Sequence, residues 1–367
     1  MRELLVALLA LALIGVAVFV AAGCGGSDDS EPTTTPARES PADAAGRRFL
    51  DRYVAADGRV QRLDQGGDTV GEGQAYGMLI AAGVGDEERF DATWQWTKDN
   101  MRRPDGLISF LWRDGRVEDP EPASDADVDA VRALLAAACR FDRPALRDEA
   151  LELGKAILTH ETATFQGAPV LVAGPWARKD PITVNPSYFS PATFAALDEA
   201  TGDGRWGSLS ASSRSVTEIL MPEPGRLPPD WARIEGGEPV PSGPPAQPEA
   251  PPQYGFDAVR TLVRMAEDPD PAGRQIAADA WPAFEGRQPD DIRVEHDISG
   301  EPTGDTSNPI ALVAAAGAAD AAGEADAKAQ LLDAADQLDR QAPTYYGAAW
   351  VALGRLMLET DSLDSCK

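Results

Sequence analysis

Histidine and cysteine are nearly absent from this chain. Its 367 residues include only two histidines, His160 and His296, and three cysteines, at positions 24, 139 and 366. Zinc sites and histidine-dependent catalytic triads need several such side chains at suitable spacings, and these few are scattered. We therefore expect no metal and no cofactor, and we expect any catalysis to depend on carboxylates.

Basic residues are scarce relative to acidic ones. The chain carries 33 Lys and Arg against 60 Asp and Glu, which gives a formal net charge of -27. A protein this negative is repelled by nucleic acid and by anionic lipid surfaces. We therefore expect no nucleic acid partner, whereas a cationic polysaccharide such as chitosan would be attracted.

One long apolar run occurs at the N-terminus, at residues 4–20, between Arg2 and the sequence VAAGC. This pattern is typical of a bacterial lipoprotein signal peptide, so we predict a signal at 1–24 and lipidation of Cys24. The alternative is an uncleaved membrane anchor, because about 20 apolar residues can span a bilayer. Both interpretations place the protein outside the cytoplasm. We expect it to be lipid-anchored to the cell membrane or secreted, with membrane contact only through the N-terminal lipid anchor.

Residues 25–44 are rich in Gly, Ser, Thr, Pro and acidic residues, and we predict that they form a disordered tether. The folded domain is then expected at 45–361, followed by a tail at 362–367. Cys139 lies in an apolar helical pattern and Cys366 in this tail. We predict no disulfide between them.

Periodic apolar segments predict twelve helices in the domain. Taken as six hairpins they suggest a closed α/α toroid, with an irregular helical bundle as the alternative. The runs GLISFLWRDGRV and APVLVAGPWARK predict short strands at the rim. Residues 222–252 include eleven prolines, which predicts an irregular surface segment. The helices are expected at 42–56, 72–83, 86–101, 125–141, 144–160, 191–200, 205–221, 255–266, 271–284, 308–322, 324–338 and 346–360.

The stretch GEGQAYGM places Glu72 between two glycines in the first turn of a predicted helix. An acid there is ordinarily explained by the helix dipole, which favours an anion at this end. The flanking glycines would however let a ligand approach the backbone closely. No Lys or Arg occurs between Arg62 and Arg89, so we expect a carboxyl without a cationic partner, free to hold a proton.

Three acids alternate at the start of another predicted helix, in PASDADVDAVRALL. A calcium loop is excluded because Ala130 and Ala136 replace its required Gly and Glu. Helix capping by Ser124 or Asp125 is the simple explanation. Asp125 and Asp129 share a helix face while the acid between them points away, so only one of the three needs a function.

Two further stretches combine polar and aromatic side chains. NPSYFSPATF is a proline-bracketed loop entering a helix, which would fix the position of Tyr188. In QYGFDAVRTLVR, Asp257 and Arg260 stand three residues apart and are expected to lie on one helix face. A surface ion pair is the alternative explanation for them.

Several blocks together resemble glycoside hydrolase family 8. They are EGQAYGM, WQWTKDNMRRPDGLISFLW, ASDADVD, NPSYFSP, LPPDWA, YGFDAVR and YYGAAWVALG, in the order and at about the spacing of that family. The resemblance implies an all-α (α/α)6 barrel of twelve helices that hydrolyses β-1,4-linked glycans, typically cellulose-type glucan, with inversion. Within the family, the chain looks most like the cellulases that accompany bacterial cellulose synthases, so the synthesis machinery is an expected partner.

The resemblance also implies roles for individual residues. Glu72 would be the general acid and Asp257 the general base, with Tyr188 and Arg260 holding that base and its water. Asp125 would lie beneath the sugar at the cleavage site.

Aromatic side chains would supply sugar binding by stacking on pyranose faces. We expect Trp112, Trp176 and Tyr346 in the cleft and Trp94 and Trp96 in the core. Trp231 and Tyr345 are further candidates. One alternative is action on chitosan, xylan or mixed-linkage glucan. Another is a glycan-binding lipoprotein without turnover, but the presence of Glu72, Asp125 and Asp257 argues against this second alternative.

Overall fold

A computed structural model describes residues 39–365 of the chain. The predicted signal, Cys24 and most of the tether lie outside the described residues. The first helix begins at Pro41, after Ser40 whose hydroxyl accepts a hydrogen bond from the Asp43 N–H. Residues 41–44, assigned to the tether from their composition, therefore belong to the folded domain, and that boundary was wrong.

Twelve α-helices occur in the described residues, as predicted. Their bounds are α1 Pro41–Tyr53, α2 Gly71–Val84, α3 Glu87–Asn100, α4 Ser124–Arg140, α5 Pro144–His160, α6 Pro191–Thr201, α7 Arg205–Leu220, α8 Val259–Ala266, α9 Pro271–Asp279, α10 Pro309–Ala322, α11 Ala325–Gln341 and α12 Tyr345–Glu359.

The even-numbered helices form a closed inner ring. Each contacts the next in the order α2, α4, α6, α8, α10, α12 and back to α2. The odd-numbered helices pack outside against their inner neighbours, as α3 does against α2 and α5 against α4 and α6. The fold is therefore an all-α (α/α)6 barrel, and the irregular bundle is excluded.

The hydrophobicity of the helices explains which ones lie inside. Helices α2, α4, α8, α10 and α12 are buried on nearly all faces and rich in Ala, Gly, Leu and Val. Small residues allow close packing: a Cβ on Gly354 of α12 would lie 2.3 Å from Val313 of α10. A helix that is apolar all round must be surrounded by protein.

Ten short strands in the described residues lie at one end of the ring. Their bounds are β1 Thr69–Val70, β2 Leu111–Arg113, β3 Arg116–Asp119, β4 Thr162–Phe165, β5 Ala168–Leu171, β6 Ile182–Val184, β7 Trp231–Glu235, β8 Glu238–Ser242, β9 Gln253–Tyr254 and β10 His296–Asp297. All lie in connections that run from an outer helix to the next inner one, such as 101–123 and 161–190. Connections from an inner to an outer helix are short, such as 85–86 and 202–204.

The proline-rich segment is more ordered than we predicted. Strands β7 and β8 form a hairpin within residues 222–252, and β7 also pairs with β6. Two prolines, Pro239 and Pro241, lie in β8, which is the edge strand of this sheet. Because an edge strand leaves alternate N–H groups unpaired, proline is tolerated there.

Cys139 on α4 is disulfide-bonded. Our prediction of no disulfide was therefore wrong, because helical periodicity indicates burial but not which distant residue lies alongside. Positions 24 and 366 lie outside the described residues. In the described part of the chain, no helix is long and apolar enough to cross a membrane.

Two buried ion pairs connect α4 to α8 inside the ring. Arg260 Nη1 lies 2.7 Å from Asp125 Oδ2, and one helical turn further Arg264 binds both Asp129 oxygens at 2.8 Å. The shared face of Asp125 and Asp129 is thus confirmed. A buried carboxylate left without its cation is strongly destabilising.

We expect Arg264→Met to lower the free energy of unfolding by about 3–5 kcal/mol, because it leaves the buried Asp129 carboxylate without a cationic partner. Urea denaturation followed by circular dichroism measures this. Replacing both partners, with Asp129→Leu and Arg264→Met, should recover most of the loss.

Arg143→Met is the matched control, since Arg143 pairs with exposed Asp91 and its loss should cost less than about 1 kcal/mol. An Arg264→Met variant that is no less stable than this control would contradict the prediction.

Candidate active site

The N-terminal ends of the inner helices bring most of the predicted site residues to one end of the barrel. Glu72 and Asp125 are the second residues of α2 and α4, and Tyr346 is the second residue of α12. Tyr188 ends a 3-10 turn just before α6. Asp257 precedes α8 by two residues, so it lies on a turn and not on the helix predicted from 255.

Arg260, on α8, is buried and joins three of these carboxyl groups. Its Nη1 donates to Asp125 Oδ2 at 2.7 Å and to the Tyr76 hydroxyl at 3.0 Å, and it lies 3.4 Å from Glu72 Oε2. Its Nη2 donates to Asp257 Oδ1 at 2.9 Å. The contact between Asp257 and Arg260 that we predicted from their spacing is confirmed. It is not a surface ion pair, because Arg260 is only 1% exposed.

Arg260 also corrects our expectation that Glu72 has no cationic partner. The cation comes from 188 residues along the chain, which the local sequence around Glu72 does not reveal. Its contact with Glu72 is the longest of the three carboxyl contacts. Asp125 and Asp257 therefore take most of the compensating charge.

Glu72 binds its proton unusually tightly. Burial and, after it, the negative charges of Asp125 and Asp257 raise the pKa of Glu72, Arg260 opposes them, and the net result is a pKa of about 8. The Glu72 side chain nevertheless remains 21% exposed to solvent. Glu72 is thus mostly protonated at neutral pH and can deliver a proton to a ligand in the cleft.

Asp125 is buried at the floor of this group. Burial raises the pKa of Asp125, while the Arg260 guanidinium opposes the rise. Helix capping does not explain the acids, because the cap position of α4 is Ala123 and no side chain caps it. The Ser124 hydroxyl donates instead to the Val172 carbonyl.

Tyrosines surround the Arg260 guanidinium. The Tyr188 ring lies 5.2 Å from it in a cation–π contact, and Trp231 packs edge-on against Tyr188. The Tyr346 hydroxyl donates to the carbonyl of Phe256, next to Asp257. These rings exclude water from the cation and strengthen its interactions with the carboxylates.

The tryptophans predicted in the cleft differ in exposure. Trp176 is 43% exposed. Trp112 is half-buried, with Arg59 over one ring face and Trp96 against it edge-on. Trp94 and Trp96 are buried, which confirms our prediction for the core.

Tyr345 is buried between Phe49 and Tyr53. It is therefore a core residue and not a stacking platform.

Sequence reasoning missed three residues near the carboxyl groups. Phe110 and Phe256 are 39% and 40% exposed. The Phe110 carbonyl accepts a hydrogen bond from the N–H of Gly71, beside Glu72. Asp230, from LPPDWA, binds the backbone on both sides of Asp257. That block was noted, but nothing in its pattern indicated a contact 25 residues away.

A family model described as glycosyl hydrolases family 8 matches residues 36–355. The chain belongs to this family. It is therefore a glycoside hydrolase, and a cluster of carboxyl groups is what that chemistry needs.

Curated relatives and solved structures agree with this assignment. A probable endoglucanase of Novacetimonas hansenii is 31% identical over 66% of this chain and 72% of its own length. An endoglucanase of Cellulomonas uda is 29% identical over 60% of this chain and 62% of its own length. The solved endo-beta-1,4-glucanase CMCax of Acetobacter xylinum superposes with a TM-score of 0.72 at 26% identity, covering 87% of this chain and 98% of that chain.

Within residues 39–365, no group of three or more His, Cys, Asp or Glu side chains is arranged to hold a metal ion. The chemistry derived below uses the described side chains alone.

We expect Asp125→Asn to lower the pKa of Glu72 by roughly one unit from about 8, because the Asp125 charge is one of the factors that raise it. Carboxyl-carbon NMR of labelled protein titrated between pH 4 and 10 measures this pKa. Asp203→Asn, at a partly exposed residue between α6 and α7, should leave it unchanged. A Glu72 pKa that stays at about 8 in Asp125→Asn would show that the Asp125 charge does not contribute to it.

Proposed function

We propose that this protein is an inverting endo-β-1,4-glucanase in which Glu72 is the general acid and Asp257 the general base. One observation carries the proposal: a single buried guanidinium, Arg260, binds Asp125 and Asp257 closely while Glu72 keeps its proton. Inverting hydrolysis needs one protonated carboxyl and one carboxylate on opposite sides of the bond.

The chemistry follows from these two protonation states. A glycosidic oxygen is a poor leaving group, so protonated Glu72 must donate to it as the bond breaks. Asp257, whose carboxyl group accepts a hydrogen bond from Arg260, takes up a proton from the water that attacks the anomeric carbon. The two carboxyl groups exchange these states over the reaction, and solvent exchange restores them.

The geometry is compatible with inversion. Glu72 Oε2 and Asp257 Oδ1 contact two nitrogens of the same planar guanidinium, at 3.4 and 2.9 Å. This limits their separation to about 9 Å at most, and inverting enzymes place their carboxyl groups about 6.5–9.5 Å apart to hold water.

Exposed aromatic rings support a polysaccharide substrate. Phe110 lies beside Glu72 and Phe256 beside Asp257. A Cβ added to Gly174 would contact both the Trp176 indole and the carbonyl oxygen of Pro122. Because Pro122 lies just before α4, Trp176 lies near the start of that helix. Flat apolar rings stack on pyranose faces, so these rings would bind sugars on either side of the cleavage site. The names of the relatives support β-1,4-glucan and internal cleavage.

We expect Glu72→Gln and Asp257→Asn each to lower kcat on carboxymethylcellulose by at least about 100-fold, because each keeps its shape but cannot transfer a proton. Binding of a cello-oligosaccharide, measured by calorimetry, should persist.

Glu118→Gln, at an exposed residue of β3, serves as the matched control and should keep normal turnover. Near-normal kcat in either active-site variant would remove that residue from the mechanism. Parallel assays with chitosan and xylan separate the substrate alternatives. Chitosan is the one that the net charge of -27 favours, so higher activity on it would replace glucan as the substrate.

The stereochemistry tests the paired roles. A single displacement by water inverts the anomeric carbon, so a β-1,4-glucan oligosaccharide should release new reducing ends as the α-anomer. Proton NMR in the first minutes of digestion, before mutarotation, distinguishes the two anomers. If the β-anomer appears first, a carboxylate acts as nucleophile and the role given to Asp257 is wrong.

We also propose that the enzyme acts outside the cytoplasm, held by a lipid on Cys24, beside a cellulose-synthesis complex. The N-terminal signal pattern motivates this, and the disulfide at Cys139 supports an oxidising compartment. Cys24→Ala should abolish incorporation of labelled palmitate in the native host. Equal labelling of this variant and the parent would refute the anchor.

A further inference from the structure

Asp230 is a buried acid next to the proposed base, and its side chain accepts hydrogen bonds from Gln253, Gly255 and Ala258. It immediately precedes β7 and is 7% exposed. Its Oδ1 accepts hydrogen bonds from the N–H groups of Gly255, at 2.9 Å, and Ala258, at 2.7 Å. These two residues bracket Asp257, so one carboxylate oxygen fixes the backbone on both sides of it.

The backbone near Asp230 adds a further link. The Asp230 N–H donates to the Gln253 carbonyl at 2.7 Å, and the Gln253 side-chain amide lies 3.3 Å from Asp230 Oδ2. A Cβ on Gly255 would lie only 2.6 Å from Asp230 Oδ2. The turn therefore approaches this carboxylate too closely for any side chain at 255, which explains the glycine.

The N–H groups at the start of α8 need partners, because the first turn of a helix lacks internal acceptors. The cap position, Ala258, has no side chain that provides one. Asp230 provides this cap from the segment just before β7, 28 residues earlier in the chain. A capping acid usually comes from the preceding residues of the same chain segment.

We infer that Asp230 is the positioning residue of the catalytic base, holding the 255–258 turn so that Asp257 keeps its orientation towards the attacking water. This rests on the proposed function, since it assumes that Asp257 is the base. Arg260 fixes the carboxylate of Asp257 and Asp230 fixes its backbone. Asp230 itself transfers no proton to the substrate.

A small displacement of the base is costly, because misplacing a reacting group by about 1 Å lowers turnover by roughly 100-fold. We therefore expect Asp230→Ala to lower kcat by about 10- to 100-fold with KM changed less than about threefold. Asp230→Asn should keep kcat within about threefold of the parent, because its amide oxygen can accept both N–H groups.

Asp86→Ala is the matched control. Asp86 caps α3 by accepting the Arg89 N–H at 3.0 Å and lies on an outer helix. Its loss should lower thermal stability but leave kcat per folded molecule unchanged. All variants are assayed at a temperature at which circular dichroism shows them folded.

The outcomes separate this inference from the proposed function. If Asp257→Asn stays active, the base is misassigned. If Asp257→Asn is inactive while Asp230→Ala keeps parental kcat, the positioning role is overturned and the base stands. An equal loss of kcat in Asp230→Asn and Asp230→Ala overturns the hydrogen-bond account.

A variant that fails to fold is replaced by a milder one. If Asp230→Ala does not fold, Asp230→Ser keeps one short acceptor and should lower kcat to an intermediate value. Parental kcat in Asp230→Ser would overturn the inference.

Discussion

One buried cation organises the cleft of this protein. Arg260 is almost inaccessible to water, and an arginine in that position is destabilising unless its donors are used. It uses them on carboxyl groups from three separate segments of the chain, and the Tyr188 ring covers one of its faces. Because the guanidinium is planar and its donors point in fixed directions, these donors need acceptors at particular positions, and the three carboxyl groups provide them.

The shared cation also explains how neighbouring carboxyl groups hold different protonation states. Arg260 lies 2.7 Å from Asp125 and 2.9 Å from Asp257 but 3.4 Å from Glu72, whose pKa is raised by burial and by the neighbouring carboxylates. Two acids near each other cannot both ionise cheaply, so unequal access to one positive charge decides which keeps its proton. In the proposed mechanism, unequal contact with Arg260 thus distinguishes the acid, Glu72, from the base, Asp257.

The helices and the site residues followed from the sequence because they depend on local patterns. Periodicity gave twelve helices, and the blocks around Glu72, Asp125 and Asp257 gave the acids. Contacts between distant segments did not follow. Arg260 beside Glu72, Asp230 beside Gly255 and the disulfide of Cys139 join residues far apart, and a single sequence contains no signal for such pairs. The β7–β8 hairpin was missed because its prolines sit on an edge strand.

The two ends of the ring have different tolerance for change. Inner helices lead to outer ones through short connections, but the return connections at the carboxyl-group end are long, with one exception at 342–344, and include all ten short strands. Surface connections accept insertions and exchanges far more readily than packed helices do. A combinatorial library confined to residues 101–123 and 161–184, which leaves out Tyr188, would therefore vary the walls around the substrate while the interlocked helices, and the charged centre they hold, stay constant.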